Sequence, residues 1–363
     1  MKRATAIIGA AFGDEGKGLM TDYFSRKAGE EPTVVRFCGG ANAGHTVVTP
    51  EGDRHVFHHF GAGTLAGART YLSRYFLVNP VLWREEYEAL QGRGLRTRLF
   101  VDREAPLTTV YDMLENQRAE TVRGADRHGS CGSGVHATMV RQRFPDVRLF
   151  AGDLERPAYL RGRVQRIRDN VISLDGREDE VFEQFLLDCK LMRSKINLCD
   201  SRVLVDRPNE IIFEGSQGLL LDQDQRDFFP HVTHAKTGLH NILTIAEQAG
   251  IEQIDAVYVT RTYLTRHGAG PLPGEDPDLH YFDGTNEPNL WQGALRFAPM
   301  DTNLIECALA GDLQQARSWS GNVTPMLAVT HMDQLPTMPD IAVPLRYIGH
   351  GATYRDIYEH ARR

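Results

Sequence analysis

The chain has 363 residues, with 41 lysines and arginines against 48 aspartates and glutamates, for a formal net charge of −7. That acidic balance excludes a nucleic-acid coat, which needs a basic excess, so any nucleotide is expected in a pocket. Hydrophobic residues at 41% and charged residues at 25% are the balance of a soluble globular protein, and no apolar run approaches the roughly 18 residues of a membrane span.

In chain order, residues 5–9 form a short apolar run ending in glycine, and Leu19, Met20, Tyr23 and Phe24 have helical spacing. The start therefore reads as strand, glycine loop, helix. Further β-rich runs fall at residues 33–37, 71–78, 210–213, 255–260 and 326–330, and helical patterns at 81–90, 108–121, 178–198, 241–247 and 302–309. Such alternation predicts an α/β fold: a central, mainly parallel β-sheet flanked by helices. One domain over residues 1–363 is expected, with a helical insertion around 155–205 and a shortened C-terminal region ending in a helix-like stretch. The arginines of residues 161–168 are answered by Asp175, Glu178, Asp179 and Glu180, which predicts a solvated helix or hairpin face. Residues 268–289, dense in Gly, Pro, Asp and Glu, are expected to be a functional loop.

The five cysteines, Cys38, Cys131, Cys189, Cys199 and Cys307, are scattered and lack a Cys-x-x-Cys pair, so reduced thiols are expected. The amino-terminal apolar run passes straight into Gly-Asp-Glu-Gly-Lys-Gly, which reads as no signal peptide and a cytoplasmic protein. His55, His58 and His59 are read as ordinary surface or core histidines, and Trp83 and Trp291 as packing residues.

Gly13-Asp14-Glu15-Gly16-Lys17-Gly18 places a lysine among glycines just before a helix, the arrangement in which backbone N–H groups and a helix dipole hold phosphate. It is P-loop-like without being a Walker A loop, because six residues separate Gly9 from Gly16 and Lys17 is followed by Gly18. Further loops are Gly39-Gly40-Ala41-Asn42-Ala43-Gly44-His45-Thr46 and Phe213-Glu214-Gly215-Ser216-Gln217-Gly218-Leu219-Leu220-Leu221-Asp222. They are followed by Pro230-His231-Val232-Thr233 and Thr265-Arg266-His267-Gly268-Ala269-Gly270-Pro271-Leu272-Pro273. Together, in this order over residues 4–333, the motifs resemble the adenylosuccinate synthetase family.

The resemblance implies a two-step ligase. A 6-oxopurine monophosphate loses its N1 proton, its O6 takes the γ-phosphoryl group of a nucleoside triphosphate, and L-aspartate then displaces phosphate from C6. Asp14 matches the base and, with the Gly44 carbonyl, a ligand of Mg²⁺; His45 matches the acid that donates to the moving phosphoryl group. Lys17 and the backbone at Gly13, Glu15, Gly16 and Gly18 match phosphate contacts, while Asn42 and Gln217 match holders of the purine and its O6. Ser130 and Cys131 fall in the substrate-phosphate loop, where the cellular enzyme carries paired threonines, and Thr233, His331, Asp333 and Gly351 complete the expected nucleotide contacts. An arginine that reaches a partner's nucleotide across a homodimer is matched by Arg141 or Arg143.

Two regions depart from the common pattern. Where family members carry Thr-Thr-Gly and several arginines for aspartate, this chain reads Asn289-Leu290-Trp291-Gln292-Gly293-Ala294-Leu295-Arg296-Phe297, leaving Gln292, Gly293 and Arg296 as aspartate contacts. That loop and the short tail after Asp333 resemble the phage 2-aminoadenylosuccinate synthetase branch, which acts on dGMP for diaminopurine DNA. Asp14 fits guanine chemically, although phage members tend to carry a small residue there. Asp333 in Thr330-His331-Met332-Asp333 matches a reader of guanine and favours GTP over ATP. The first expectation is thus a Mg²⁺- and GTP-dependent ligase joining L-aspartate to dGMP. The alternative uses IMP, and a third reading is a nucleotide-binding regulator that has lost catalysis. None involves nucleic acid or a membrane.

Overall fold

The structure is a computed structural model that describes residues 2–170, 177–205, 210–283 and 293–360. In the first strand, β1 (Arg3–Gly9), Ala4, Ala6 and Ile8 enter one layer of core. Ile7 enters the opposite layer with Leu19, Met20 and Tyr23 of α1 (Lys17–Lys27). A continuous apolar run split by a period of two between two buried faces is what a strand inside a parallel sheet requires.

The chain continues through β2 (Thr33–Arg36), the antiparallel hairpin β3 (His45–Val48) and β4 (Arg54–Phe57), then β5 (Arg69–Leu72), α2 (Pro80–Gly92) and β6 (Leu99–Asp102). Next come α3 (Val110–Arg123), α4 (Val135–Arg141), α5 (Pro157–Arg168), α6 (Glu178–Lys195), β7 (Asn197–Cys199), β8 (Ile211–Gly218), α7 (Leu239–Gln248) and β9 (Gln253–Arg261). The hairpin of β10 (Leu264–Arg266) with β11 (Arg296–Ala298), then α8 (Thr302–Gln315), β12 (Asn322–Thr330), β13 (Leu345–Gly349) and β14 (Ile357–Glu359) complete the described chain. The main sheet has ten described strands in the order β14-β13-β12-β9-β1-β8-β2-β5-β6-β7. Every neighbouring pair is parallel except β13 with β14. The fold is the expected α/β class. Because β1 lies between β8 and β9, and β2 lies beyond β8, a crevice opens at the carboxyl ends of these strands.

Local chemistry sets the helix starts. Asn79 accepts from Val81 N and Leu82 N ahead of Pro80, Thr109 and Asp112 form a reciprocal capping box, and Asp301 accepts from Leu304 N. The helix α1 differs: it starts from left-handed Gly16 with no side-chain cap. On α5, Arg161 pairs with Glu183 and Arg168 with Asp179, both at 2.7 Å, so the arginine-rich stretch is a solvated helix face. Trp83 is fully buried and stacks on Tyr87 at 5.0 Å, a packing role.

Three expected boundaries change. The run over residues 71–78 stops being strand at Leu72, because Leu77 N turns to the Gly39 carbonyl at 2.8 Å instead of a sheet neighbour. The helix of residues 178–198 ends at Lys195, and Asn197–Cys199 joins the sheet edge beside β6. The helix-like tail is a single 3-10 turn (Tyr354–Asp356), after which β14 pairs antiparallel with β13. No described helix is long and apolar enough to cross a membrane, and all five cysteines are free thiols.

Candidate active site

The crevice is shaped by close backbone approach. Gly13 (φ 115°) and Gly16 (φ 91°) take left-handed conformations between β1 and α1, which only glycine adopts without strain. A Cβ on Gly16 would lie 3.2 Å from Thr330 Cγ2, and one on Gly218 would lie 2.0 Å from the Ala11 carbonyl oxygen. Thr330 Oγ1 donates to the Glu15 carbonyl at 2.8 Å, tying the end of β12 to the same loop. Beside this junction lies a cavity of about 650 Å³, a size suited to a small-molecule ligand.

Asp14, Asn42, Gly44, His45 and Gln217 all line it. The carboxylate Oδ2 of Asp14 lies 3.5 Å from His267 Nε2, while its carbonyl accepts from Arg261 Nε. Asn42 Oδ1 accepts from Gly40 N at 3.1 Å, leaving its side-chain nitrogen as a donor. The His45 imidazole is 5% exposed, with Nδ1 2.8 Å from Glu214 Oε1 and Nε2 without a hydrogen-bond partner in the protein. Burial pushes the His45 imidazole below its usual range, against the opposing pull of Glu214. Burial pushes Glu214 up, yet His45, Arg36 and the Ala62 N–H together hold it below the usual carboxylate range. The pair is therefore a carboxylate accepting Nδ1–H, which orients Nε2 as the reactive ring atom. An arriving phosphoryl oxygen would favour the protonated ring, now flanked by two anions, with Nε2–H as donor.

The Lys17 ammonium lies beneath the loop, donating to Glu15 Oε2 at 2.7 Å and the Gly13 carbonyl at 2.6 Å. Glu15 in turn accepts from Gly13 N and Ala11 N, so the loop closes around a buried ion pair. Lys17 is 2% exposed and is not among the residues that line the cavity. A Cβ on Gly18 would lie 2.9 Å from the Thr46 carbonyl oxygen, so the glycine lets α1 pack closely on β3. Ser130, Cys131 and Thr233 line the cavity. Ser130 Oγ donates to Asn116 Oδ1 at 2.7 Å and Cys131 Sγ lies 3.1 Å from Ser133 Oγ; burial pushes the Cys131 thiol up, keeping it neutral.

Other expected contacts are placed elsewhere. Arg141 is buried against Asp112 (Nε to Oδ1 2.9 Å, Nη2 to Oδ2 2.9 Å) and donates to the carbonyls of Leu107 and Val147. Its guanidinium is spent inside its own subunit and does not reach the cavity, whereas Arg143 is exposed. Arg296 Nη1 donates to Glu275 at 2.6 Å and Nη2 to the carbonyls of Gly268 and Gly270, so it braces the 268–270 turn and does not line the cavity. Gly293 is exposed with φ 72°, and Gln292 and Trp291 lie outside the described residues. Asp333 is exposed just past β12. His331 (φ 60°) packs edge-on to Tyr263, its imidazole pushed down to about 3 by burial and Arg261. Gly351 lies past β13, where a Cβ would meet Asp356 Oδ2 at 2.7 Å.

Asp14 and the Gly44 carbonyl supply hard oxygen donors on one cavity wall, which suits Mg²⁺, an ion that takes few protein ligands and fills its shell with water and phosphate. Among the described residues no group of three His, Cys, Asp or Glu could hold a metal alone.

Sequence reasoning passed over several residues here. Glu214 and Arg36 are both 0% exposed, Arg36 Nη2 donates to Ser216 Oγ at 3.0 Å, and the pair of charges anchors His45. Charged residues within fully buried strands were the available signal. His58 Nδ1 lies 2.7 Å from the Ala43 carbonyl and so holds the Asn42–His45 loop. Arg266 is buried over Phe12 and Phe228, donating to the carbonyls of Pro271 and His231.

A family model described as adenylosuccinate synthetase matches residues 6–362. The adenylosuccinate synthetase of Xylella fastidiosa (strain M12) is 28% identical over 368 residues, covering 96% of this chain and 82% of that protein. That of Oleidesulfovibrio alaskensis is 33% identical over 293 residues, 75% of this chain and 66% of its own length. Among solved structures, fully ligated adenylosuccinate synthetase from Plasmodium falciparum has a TM-score of 0.76 at 17% identity, covering 99% of this chain and 100% of that one. Cyanophage S-2L succinoaminodeoxyadenylate synthetase (PurZ), bound to dGMP and dATP as an energy donor, has a TM-score of 0.68 at 18% identity, covering 100% and 96%. At those identities the two structures establish a shared fold, with no preference between branches. With a family model spanning nearly its whole length, the chain belongs to the adenylosuccinate synthetase family.

Proposed function

We propose that this chain joins L-aspartate to C6 of IMP, with GTP as phosphoryl donor, giving adenylosuccinate, GDP and phosphate. The observation that carries the reading is that Asp14, His45 and Gln217 share one cavity, with the His45 ring held by buried Glu214. Asp14 accepts the N1 proton, which makes O6 the nucleophile. His45 Nε2–H meets the phosphoryl oxygen where charge grows, and Asn42 and Gln217 hold the purine. Asp14 and the Gly44 carbonyl would hold Mg²⁺, which would supply charge neutralisation for the triphosphate. The aspartate amine then displaces phosphate from C6. IMP is favoured because the curated relatives in two different bacteria are adenylosuccinate synthetases. GTP is favoured by Asp333, whose carboxylate can accept from N1–H and N2–H of guanine. Of the two candidate arginines, exposure favours Arg143 over buried Arg141 for a contact with a second copy of the chain in a homodimer.

A second reading, dGMP as acceptor, is favoured by the Trp291-Gln292-Gly293-Ala294-Leu295-Arg296-Phe297 loop, with its single arginine, and by the ability of Asp14 to accept from both N1–H and the 2-amino group. Steady-state release of GDP and phosphate with Mg²⁺, GTP and L-aspartate, run in parallel with IMP, GMP and dGMP and with an ATP control, separates the two. Selective turnover of IMP supports the first reading; selective turnover of dGMP replaces it. Nucleotide binding without turnover of any of them points to a regulator.

A further inference from the structure

A cluster of imidazoles lies on the cavity wall with the Ser130–Cys131 loop and Thr233. His128, His136, His231 and His234 all line this wall. His136 Nδ1 and His234 Nε2 are 2.5 Å apart, with ring centroids at 4.3 Å and planes tilted by 39°. The two ring nitrogens are within hydrogen-bond reach, so a tautomer that carries hydrogen on one of them can donate to the other. Next to them His128 and His231 pack edge-to-face at 5.7 Å, and His231 Nδ1 lies 3.2 Å from the His128 carbonyl.

The charged groups around the cluster are unevenly signed. From α3, Arg123 and Glu120 pair at 2.6 Å, and Glu120 also accepts from Gly129 N at 3.2 Å. Arg143, just past α4, acts on both His136 and His234, and Arg266 donates to the His231 carbonyl from below. Glu120 is the carboxylate in this set, and it is already engaged. Burial, then His136 and Arg143, push His234 down to about 4; burial, then Arg123, His128 and Arg143, lower His136. The rings are thus neutral at pH 7, among described neighbours that are mainly cationic, with Glu120 the carboxylate that opposes Arg123 and Arg143 at His136.

We propose that His136 and His234 form a proton-sharing pair that holds the 5′-phosphate of the acceptor nucleotide and takes up one proton from solvent as that dianion binds. The proposal rests on the acceptor reading above and adds a recognition group and a pH dependence to it. The neutral pair carries two N–H hydrogens, one of them between the rings. One added proton makes an imidazolium shared by both rings, with a further N–H for a phosphate oxygen. The dianion supplies the negative potential that Arg143, Arg123 and the other rings otherwise oppose. Acceptor binding therefore weakens as pH rises through neutrality, because the proton must then come from a more dilute pool.

The test uses the full chain labelled with ¹⁵N-histidine and follows the His136 and His234 ring nitrogens against pH, with inorganic phosphate, IMP, dGMP and inosine as separate probes. Phosphate and the accepted monophosphate are expected to raise the apparent imidazole pKa past neutrality, as uptake of a whole proton at pH 7 requires, and inosine to leave it unmoved. Calorimetry of acceptor binding in two buffers of different ionisation enthalpy should show uptake of about one proton near pH 7 in the wild type and near none in His136→Asn or His234→Asn. In these variants the acceptor KM should rise about tenfold at pH 6.5 and approach the wild-type value at alkaline pH. Both side chains are at least partly exposed, so the variants are expected to fold. Unmoved ring nitrogens with phosphate, or equal proton uptake in wild type and variants, overturns the proposal. Nucleotide binding without proton uptake overturns the pair and spares the acceptor reading. Ring nitrogens that respond to phosphate and to no nucleotide overturn the assignment to the acceptor together with that reading.

Discussion

Two kinds of residue meet opposite fates in this molecule. The short side chains on the glycine loops, Asp14, Asn42 and the His45 that follows Gly44, arrive together at one cavity. The long cationic side chains expected to meet anions, Arg141 and Arg296, are bound to their own chain: Arg141 to Asp112, Arg296 to Glu275 and two carbonyls. Lys17 is likewise buried, on Glu15. The difference is one of reach. A short side chain goes where its backbone goes, and glycine conformations set that backbone closely. A side chain with several rotatable bonds goes to whichever partner the tertiary structure brings, and desolvated arginine demands one.

The largest break of this comparison is expected at its first member. Asp14→Ala should lower kcat for GDP release by about 10³-fold, within the range for a general base, while the fold is kept. Unchanged GDP release would remove Asp14 from the chemistry. On the other side, Arg141→Ala should cost about 3–5 kcal/mol of stability in a denaturant melt, because it leaves Asp112 buried and unpaired. Arg143→Ala should stay within about 0.5 kcal/mol of wild type. A stable but inactive Arg141→Ala protein would show the arginine to be a ligand contact after all.

Burial without function offers a control. Asp312 is raised from 3.8 to about 6 by burial, with Tyr258 Oη donating to it at 2.8 Å. A carboxyl raised in the folded state contributes stability at low pH that is lost as pH rises through its folded pKa. Wild type should therefore lose about 3 kcal/mol between pH 4 and 6, and Asp312→Asn should lose none of it. Thermal melts across that window decide it. Within the cavity, Glu214→Gln keeps the shape and removes the charge that orients His45; kcat should fall about 10²-fold, with little change in acceptor KM. An equal change in KM alone would assign Glu214 to ground-state binding. The smallest effect is expected from Gly16→Ala, where φ is 91°: about 1–2 kcal/mol from backbone strain, plus the contact with Thr330. A neutral result in a chemical melt would mean that the loop relaxes.

Much of the architecture was legible because apolar runs such as residues 5–9 mark strands and the spacing of Leu19, Met20, Tyr23 and Phe24 marks a helix, whereas the caps Asn79, Thr109 and Asp301 were seen only in the structure. The strands β3 and β6 and the edge strand β7 escaped notice, since three or four residues carry too little pattern. Within the candidate site, the glycine motifs pointed to Asp14, His45 and Gln217. The reliance of His45 on Glu214 and Arg36 was hidden, because Arg36 and Glu214 are brought together by the pairing of β2 with β8, and His45 reaches them from the separate β3–β4 hairpin.

By itself, then, the sequence determined the α/β class, the glycine loops and the short chemical side chains that ride on them, since these follow from local backbone preference and apolar period. Only the tertiary structure decided which charges pair, that Arg141 meets Asp112 and Arg296 meets Glu275, and that His136 meets His234 across 98 residues of chain. Such pairings depend on distances between strands and loops far apart in sequence, and no local pattern encodes them.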